Sequence, residues 1–196
     1  MKKIQQWMIT MAVGGLLGGY TSQAEEITGF HKVLTLNEVS FDIRCEEKSS
    51  LNTAFIKPSG LKDNKMIQEE VDGRIVDAYM ADLNQDGSPE LYIFTTSAGS
   101  GSVGSLLAYS TNNQTSLTPI YLPEIAEDKK HGQGYMGHDN FKIIGNQFVR
   151  TFPIYNKNDA NCCPTGGKRT VAYNLVAGEA GWLLKIATSS TTKENK

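Results

Sequence analysis

Short runs of alternating apolar and polar residues, each closed by a turn signal, constrain this chain more than any other feature. HKVLTLNEVSFDIRCE holds two such runs on either side of Asn37-Glu38, and RIVDAYMADL repeats the pattern. LNTAFIKPSGL stops at Pro58-Ser59-Gly60, and ELYIFTT, LLAYSTN, TPIYLP, NFKIIGNQFVRTFPIYN, RTVAYNLV and GWLLKIA continue the series. A period of two places every second side chain on one face, the mark of a half-buried strand. Asp72-Gly73, Asn84 to Gly87, Asn112-Asn113, Gly145-Asn146, Gly166-Gly167 and Gly178-Glu179 supply turns. About nine short strands with this punctuation predict an all-β fold, an antiparallel β-sandwich-like single domain with Gly/Ser-rich protruding loops. Only PEIAEDKKHG offers one or two helical turns.

The first 24 residues read as a cleavable signal peptide. Lys2 and Lys3 precede WMITMAVGGLLGG, an apolar run too short to anchor in a bilayer, and Ser22-Gln23-Ala24 supplies the small residues of a cleavage site. The expected domain spans residues 25–188, followed by a polar, frayed tail over 189–196. No cysteine lies near the cleavage site and no later apolar run reaches membrane-spanning length, so no membrane anchor is expected. The short basic start points to bacterial export and the periplasm.

The whole chain carries 19 Lys+Arg against 21 Asp+Glu. Without Lys2 and Lys3 the balance is 17 against 21, a formal charge of −4. No basic stripe is present, which argues against a nucleic-acid partner. The three cysteines, Cys45, Cys162 and Cys163, leave one without an intrachain partner. The expected bridge joins Cys45 to Cys162 or Cys163; a bridge between the adjacent pair is sterically awkward. Three cysteines with scattered histidines make no zinc pattern, and no positioned histidine marks a catalytic cysteine.

Several stretches are candidates for chemistry or binding. In DLNQDGSPE, Asp82, Asn84, Asp86 and Glu90 place oxygens at alternate positions around Gly87. That is the donor logic of a calcium loop. The twelfth position is Ile93 and the flanks read as strands, so this is not an EF-hand. The loop looks more like the DxNxDGxxE hairpins of β-propeller repeats. The simpler alternative is a tight turn whose Asp and Asn side chains cap their own amides. TSAGSGSVGSLL, Thr96 to Leu107, has seven Gly or Ser among twelve residues. It runs from strand to strand with no Gly-Lys-Ser or Gly-Lys-Thr after it, which argues against a phosphate cradle, and its length suits a binding loop at least as well as a plain hairpin. HGQGYMGHDNF places two histidines near Asp139 at a spacing that fits no common metal site; Tyr135 and Met136 are expected to pack inward. NCCPTGGKR reads as a surface loop. No G-x-S-x-G elbow appears and no carboxylate pair can be singled out, so an enzyme is not expected.

Taken in order, ADLNQDGSPELYIF, SAGSGSVGSLLAYSTNNQTSL, PIYLP, GYMGHDNF, RTFPIYN and VAGEAGWLLKI resemble the periplasmic inhibitors of I-type (invertebrate-type) lysozyme. The resemblance runs from Asp72 to Ile186, most of the chain. It implies a β-sandwich-like inhibitor of I-type lysozyme that protects bacterial peptidoglycan and needs no cofactor. It also implies a protruding loop with a Ser-Gly-x-Tyr motif that enters the lysozyme cleft. Here that loop is Ser97, Gly99, Ser100, Gly101, Ser102 and Val103, with Val103 at the tyrosine position. Ser100 carries over as the cleft contact, and Ser102 is a substitute donor. Pro164, Thr165, Gly166 and Gly167 form a second candidate contact. The alternative is an exported, calcium-stabilised β-domain with a binding or adhesion role.

Overall fold

The computed structural model describes residues 29–193. The expected signal peptide and its cleavage site lie outside these residues, as do residues 194–196. Four strands, β1 (Gly29–Leu36), β2 (Val39–Glu46), β3 (Leu51–Ser59) and β4 (Ile67–Asp72), form an antiparallel sheet in chain order. The other strands are β5 (Arg74–Ala81), β6 (Glu90–Thr96), β7 (Gly104–Ser110), β8 (Thr118–Tyr121), β9 (Asn140–Ile144), β10 (Gln147–Pro153), β11 (Lys168–Ala177) and β12 (Trp182–Thr192). They make a second sheet in the order β5-β6-β7-β8-β12-β11-β10-β9. Its pairs are antiparallel except β8 with β12, which run parallel over Ile120 and Tyr121. A 3-10 turn, Ile125–Glu127, falls inside the stretch expected to be helical.

The all-β, sandwich-like fold agrees with the alternation in the sequence. The β1–β2 hairpin turns at Asn37 and Glu38, with φ of 50° and 66°. Positive φ at both central positions gives the turn the twist that two antiparallel strands need. Twelve strands stand among the described residues where about nine were expected, and the runs picked out in the sequence overlap all of them but one. The strand absent from that reading is β4, IQEEVD, whose inward row is Ile67, Glu69 and Val71. A glutamate in the middle of that row hid the alternation. It is satisfied because the Tyr109 hydroxyl donates to Glu69 Oε1 at 2.6 Å. Residues 189–192 also depart from the expected frayed tail: they extend β12 along β11, with Thr192 opposite Lys168.

Two cores hold the layers together. Val39, Phe41, Ile43, Ala54 and Ile56 of the first sheet pack against Ala78, Leu91, Ile93 and Tyr109. Tyr92, Phe94 and Ala108 pack the other way, against Phe141, Phe148, Phe152, Val171 and Tyr173. The long sheet therefore folds over itself, with β5–β7 facing β9–β12. Strand β6 sits between both cores, and Leu91, Tyr92 and Ile93 are all fully buried. Each such side chain contributes about 1.5–3 kcal/mol of burial. The rigid strand ends in a different loop at each end, DLNQDGSP before it and SAGSGSV after it.

Candidate functional site

The loop after β6 is held by contacts from distant parts of the chain. The Ser97 amide donates to Val103 O at 2.9 Å, and the Val103 amide donates to Ser97 Oγ at 3.0 Å. The Ser102 amide donates to Gly99 O at 2.9 Å. Ser102 itself has φ of 44°, a left-handed conformation that these bonds enforce. From a second loop, the His138 amide donates to Gly101 O at 2.8 Å and Ser102 O at 3.1 Å. From a third, Asn161 Nδ2 donates to Ser100 O at 3.3 Å. The backbone of the tip is thus engaged, whereas no described residue bonds the Ser100 or Ser102 hydroxyl.

The second loop is anchored by a buried ionic network. Arg150 Nε donates to Asp139 Oδ1 at 2.7 Å, and both side chains are almost wholly buried. The Tyr135 hydroxyl donates to Asp139 Oδ2 at 2.6 Å and accepts from Arg150 Nη2 at 2.7 Å. The Gly104 amide, the first residue of β7, donates to the same Asp139 Oδ2 at 2.7 Å. The Arg150 guanidinium lies 4.8 Å from the Tyr135 ring centre. Burial opposes the Arg150 charge and the Asp139 carboxylate outweighs it, so the guanidinium pKa stands above its ordinary value. Desolvation pushes the Tyr135 hydroxyl pKa up, which keeps it a donor. Gly104 is required at its place: a Cβ there would lie 2.6 Å from Asp139 Cβ and 2.7 Å from the Phe141 ring.

Tyr135 packs inward, edge-on to Phe152, as its sequence context predicts. Met136 does not: it is 48% exposed, near the less open Val103, at 38%. The two glycine-rich loops meet here backbone to backbone, with the Met136 carbonyl close to Gly101 and the Met136 side chain left outside. His131 binds Asp128 at 3.0 Å and His138 stacks on Tyr155, so the two histidines are not brought together. Tyr109 is buried against Glu69 and does not reach the tip.

The candidate second contact, Pro164 to Gly167, belongs to the β10–β11 connection that also carries Asn161. Thr165 is tied to Asp159, and the Gly166 amide donates to Ile154 O at 2.9 Å. Cys162 and Cys163 are bonded to each other, which overturns the expected bridge to Cys45. Cys45 is a free thiol on β2, in the core beneath the first sheet. Burial, aided by the Glu47 charge, pushes its pKa up. The cysteine pair stands in a connection outside that core.

The loop before β6 is held mostly by itself. Asp82 Oδ1 accepts from the Asp86 amide at 3.1 Å and Oδ2 from the Gly87 amide at 2.9 Å. Asn84 Oδ1 also accepts from the Asp86 amide, and Asp86 Oδ1 accepts from the Ser88 amide at 2.7 Å. One carboxylate oxygen each of Asp82, Asp86 and Glu90 lies within 4.8 Å of the others. Glu90 is fully buried. Its Oε2 accepts from the Leu83 amide at 2.8 Å and the Tyr92 hydroxyl at 3.3 Å. Its Oε1 is buried with no partner among the described residues. Burial first, then the charges of Asp82 and Asp86, push its pKa up to about 7.

Sequence reasoning missed Tyr135, Asp139, Arg150 and Asn161 as the frame of the Ser/Gly loop. The available signal was Arg150 in QFVRTFP, on the inward row with Phe148 and Phe152. A buried charge on such a row requires a partner. No protein-family model matches the chain, and no curated protein matches it in sequence.

Proposed function

We propose that the protein is a periplasmic, non-catalytic inhibitor of an I-type lysozyme. In this reading the tip Ser100-Gly101-Ser102-Val103 enters the enzyme's sugar-binding cleft, where two carboxylates work on the glycosidic bond. The observation that carries it is a pre-formed tip. Its carbonyls are tied to two other loops, and its Ser100 and Ser102 hydroxyls are unengaged. A loop already ordered loses little entropy on binding. A hydroxyl donated to a cleft carboxylate is worth about 1.5–3 kcal/mol. Val103 and Met136 supply the apolar contact that an aromatic anchor makes in the resembled family, over a smaller area. The 164–167 segment belongs to the connection whose Asn161 reaches the tip, which makes it the second candidate contact.

Titration of an I-type lysozyme with the protein lacking residues 1–24 tests this directly. The expected result is stoichiometric, saturable inhibition. Ser100→Ala weakens it by about 10–100-fold, the equivalent of that hydroxyl. Val103→Tyr strengthens it. If neither the wild type nor Val103→Tyr inhibits I-type, c-type or g-type lysozymes, the inhibitory reading is wrong.

A further inference from the structure

We propose that Asp82, Asn84, Asp86 and Glu90 form a calcium site that fastens the β5–β6 connection. The site lies at the opposite end of β6 from the Ser/Gly tip, about 20 Å along the strand, and stands independently of the inhibitory reading. Its decisive feature is Glu90, fully buried, with one carboxylate oxygen within 4.8 Å of those of Asp82 and Asp86 and with Oε1 unpartnered among the described residues. Polar atoms in such places normally have partners. The three carboxylates converge from a tight turn, and each adds to the negative charge around the other two.

The donor set selects the ion. All donors are hard oxygens, which excludes a thiolate- or imidazole-preferring metal. Ligand oxygens on opposite sides of calcium stand about 4.8 Å apart, two bonds of about 2.4 Å. The three carboxylate oxygens already lie within that span. Magnesium needs a tighter octahedron and gives up water reluctantly. Asn84 lies against Asp86, its Nδ2 donating to Asp86 Oδ2 at 2.8 Å and its Oδ1 accepting from the Asp86 amide, so a small shift would offer Oδ1 as a neutral ligand; exposure on the Asp86 side leaves room for water ligands. The turn holds its shape through Gln85 and Gly87, with φ of 58° and 85°. The main rival occupant is water. Ser110 lies directly opposite Glu90 on β7, and its Oγ is also buried without a partner, so one water could bridge the two.

The test compares thermal unfolding of the protein in chelator, in calcium chloride and in magnesium chloride, with calorimetric titration by calcium alone. Sites of this kind in exported modules bind with Kd of about 10⁻⁴–10⁻³ M. A hundredfold excess of calcium over Kd should raise Tm by about 5–10 °C, and magnesium should raise it less. Asp86 is exposed and an asparagine keeps an acceptor for the Ser88 amide, so Asp86→Asn should fold and should weaken calcium at least tenfold. Its lysozyme inhibition in chelator should equal that of the wild type, which keeps this outcome separate from the fate of the inhibitory reading. Calcium at 10 mM giving neither binding heat nor a Tm shift overturns the proposal and leaves water between Glu90 and Ser110. An undiminished shift in Asp86→Asn overturns the assigned ligands.

Discussion

The two loops at the ends of β6 are both short, polar and glycine-containing, yet they are held in opposite ways. Residues 97–103 close on themselves at Ser97 and Ser102 and are braced besides from outside, by His138, by Asn161 and by the Asp139–Arg150–Tyr135 network under Gly104. Residues 82–90 are braced mainly from within, by Asp82, Asn84 and Asp86 bonding amides of the same turn. The first arrangement fixes a backbone and leaves hydroxyls to spare. The second fixes carboxylates and leaves one buried oxygen short. A loop satisfied by the rest of the fold can present itself to a partner. A loop that satisfies mostly itself leaves its one spare buried acceptor open to an ion or a water.

The sharpest way to break this contrast is to remove the external brace. Arg150→Met leaves Asp139 buried with its charge uncompensated, and loss of one partner of such a pair costs about 3–5 kcal/mol. Urea unfolding should show that loss. Adding Asp139→Leu should recover most of it, because an apolar pair of similar volume is often neutral. The double variant should nonetheless inhibit lysozyme poorly, since the 134–139 loop loses its anchor. Recovery of both stability and inhibition would mean that the tip is rigid without the network.

The internal brace should be weaker. Asp82→Ala removes two acceptors from the Asp86 and Gly87 amides, both at exposed residues that water can satisfy. Unfolding in chelator should show a loss of about 1 kcal/mol, the ordinary net worth of a hydrogen bond or two. It also removes a negative neighbour of Glu90, which offsets part of the cost. A loss as large as that of Arg150→Met would show that the two loops are equally built into the fold.

The same contrast decides what the sequence made legible. DLNQDGSPE declared its donors because all of them lie within nine residues and act on one another. The burial of Glu90 could not be read there, since it depends on β6 lying between two cores. The Ser/Gly tip announced its composition but not its frame, because Asp139, Arg150 and Asn161 lie 35 or more residues away. The strands followed from period-two alternation wherever the inward row was apolar, and failed at β4, where Glu69 stands on that row and meets Tyr109. The Cys45 pairing failed for the same reason: which cysteine faces a core is a property of packing, and Cys45 faces the first one.

The smallest expected effect concerns the covalent link nearest the tip. Cys162 and Cys163 are adjacent, so their bond closes almost no loop and removes little freedom from the unfolded chain. The connection already has Asp159 bonded to Thr165 and Asn156, and the Tyr155 hydroxyl bonded to Asn161 O at 2.8 Å. Cys162→Ser with Cys163→Ser should therefore shift Tm by less than about 2 °C, the range of a surface substitution. Lysozyme inhibition should fall by no more than about threefold, because the contact from this connection to the tip is a single hydrogen bond from Asn161. A larger fall in inhibition with Tm unchanged would place the disulfide among the external braces, and the tip would then be held by a redox-sensitive element as well as by Asp139 and Arg150.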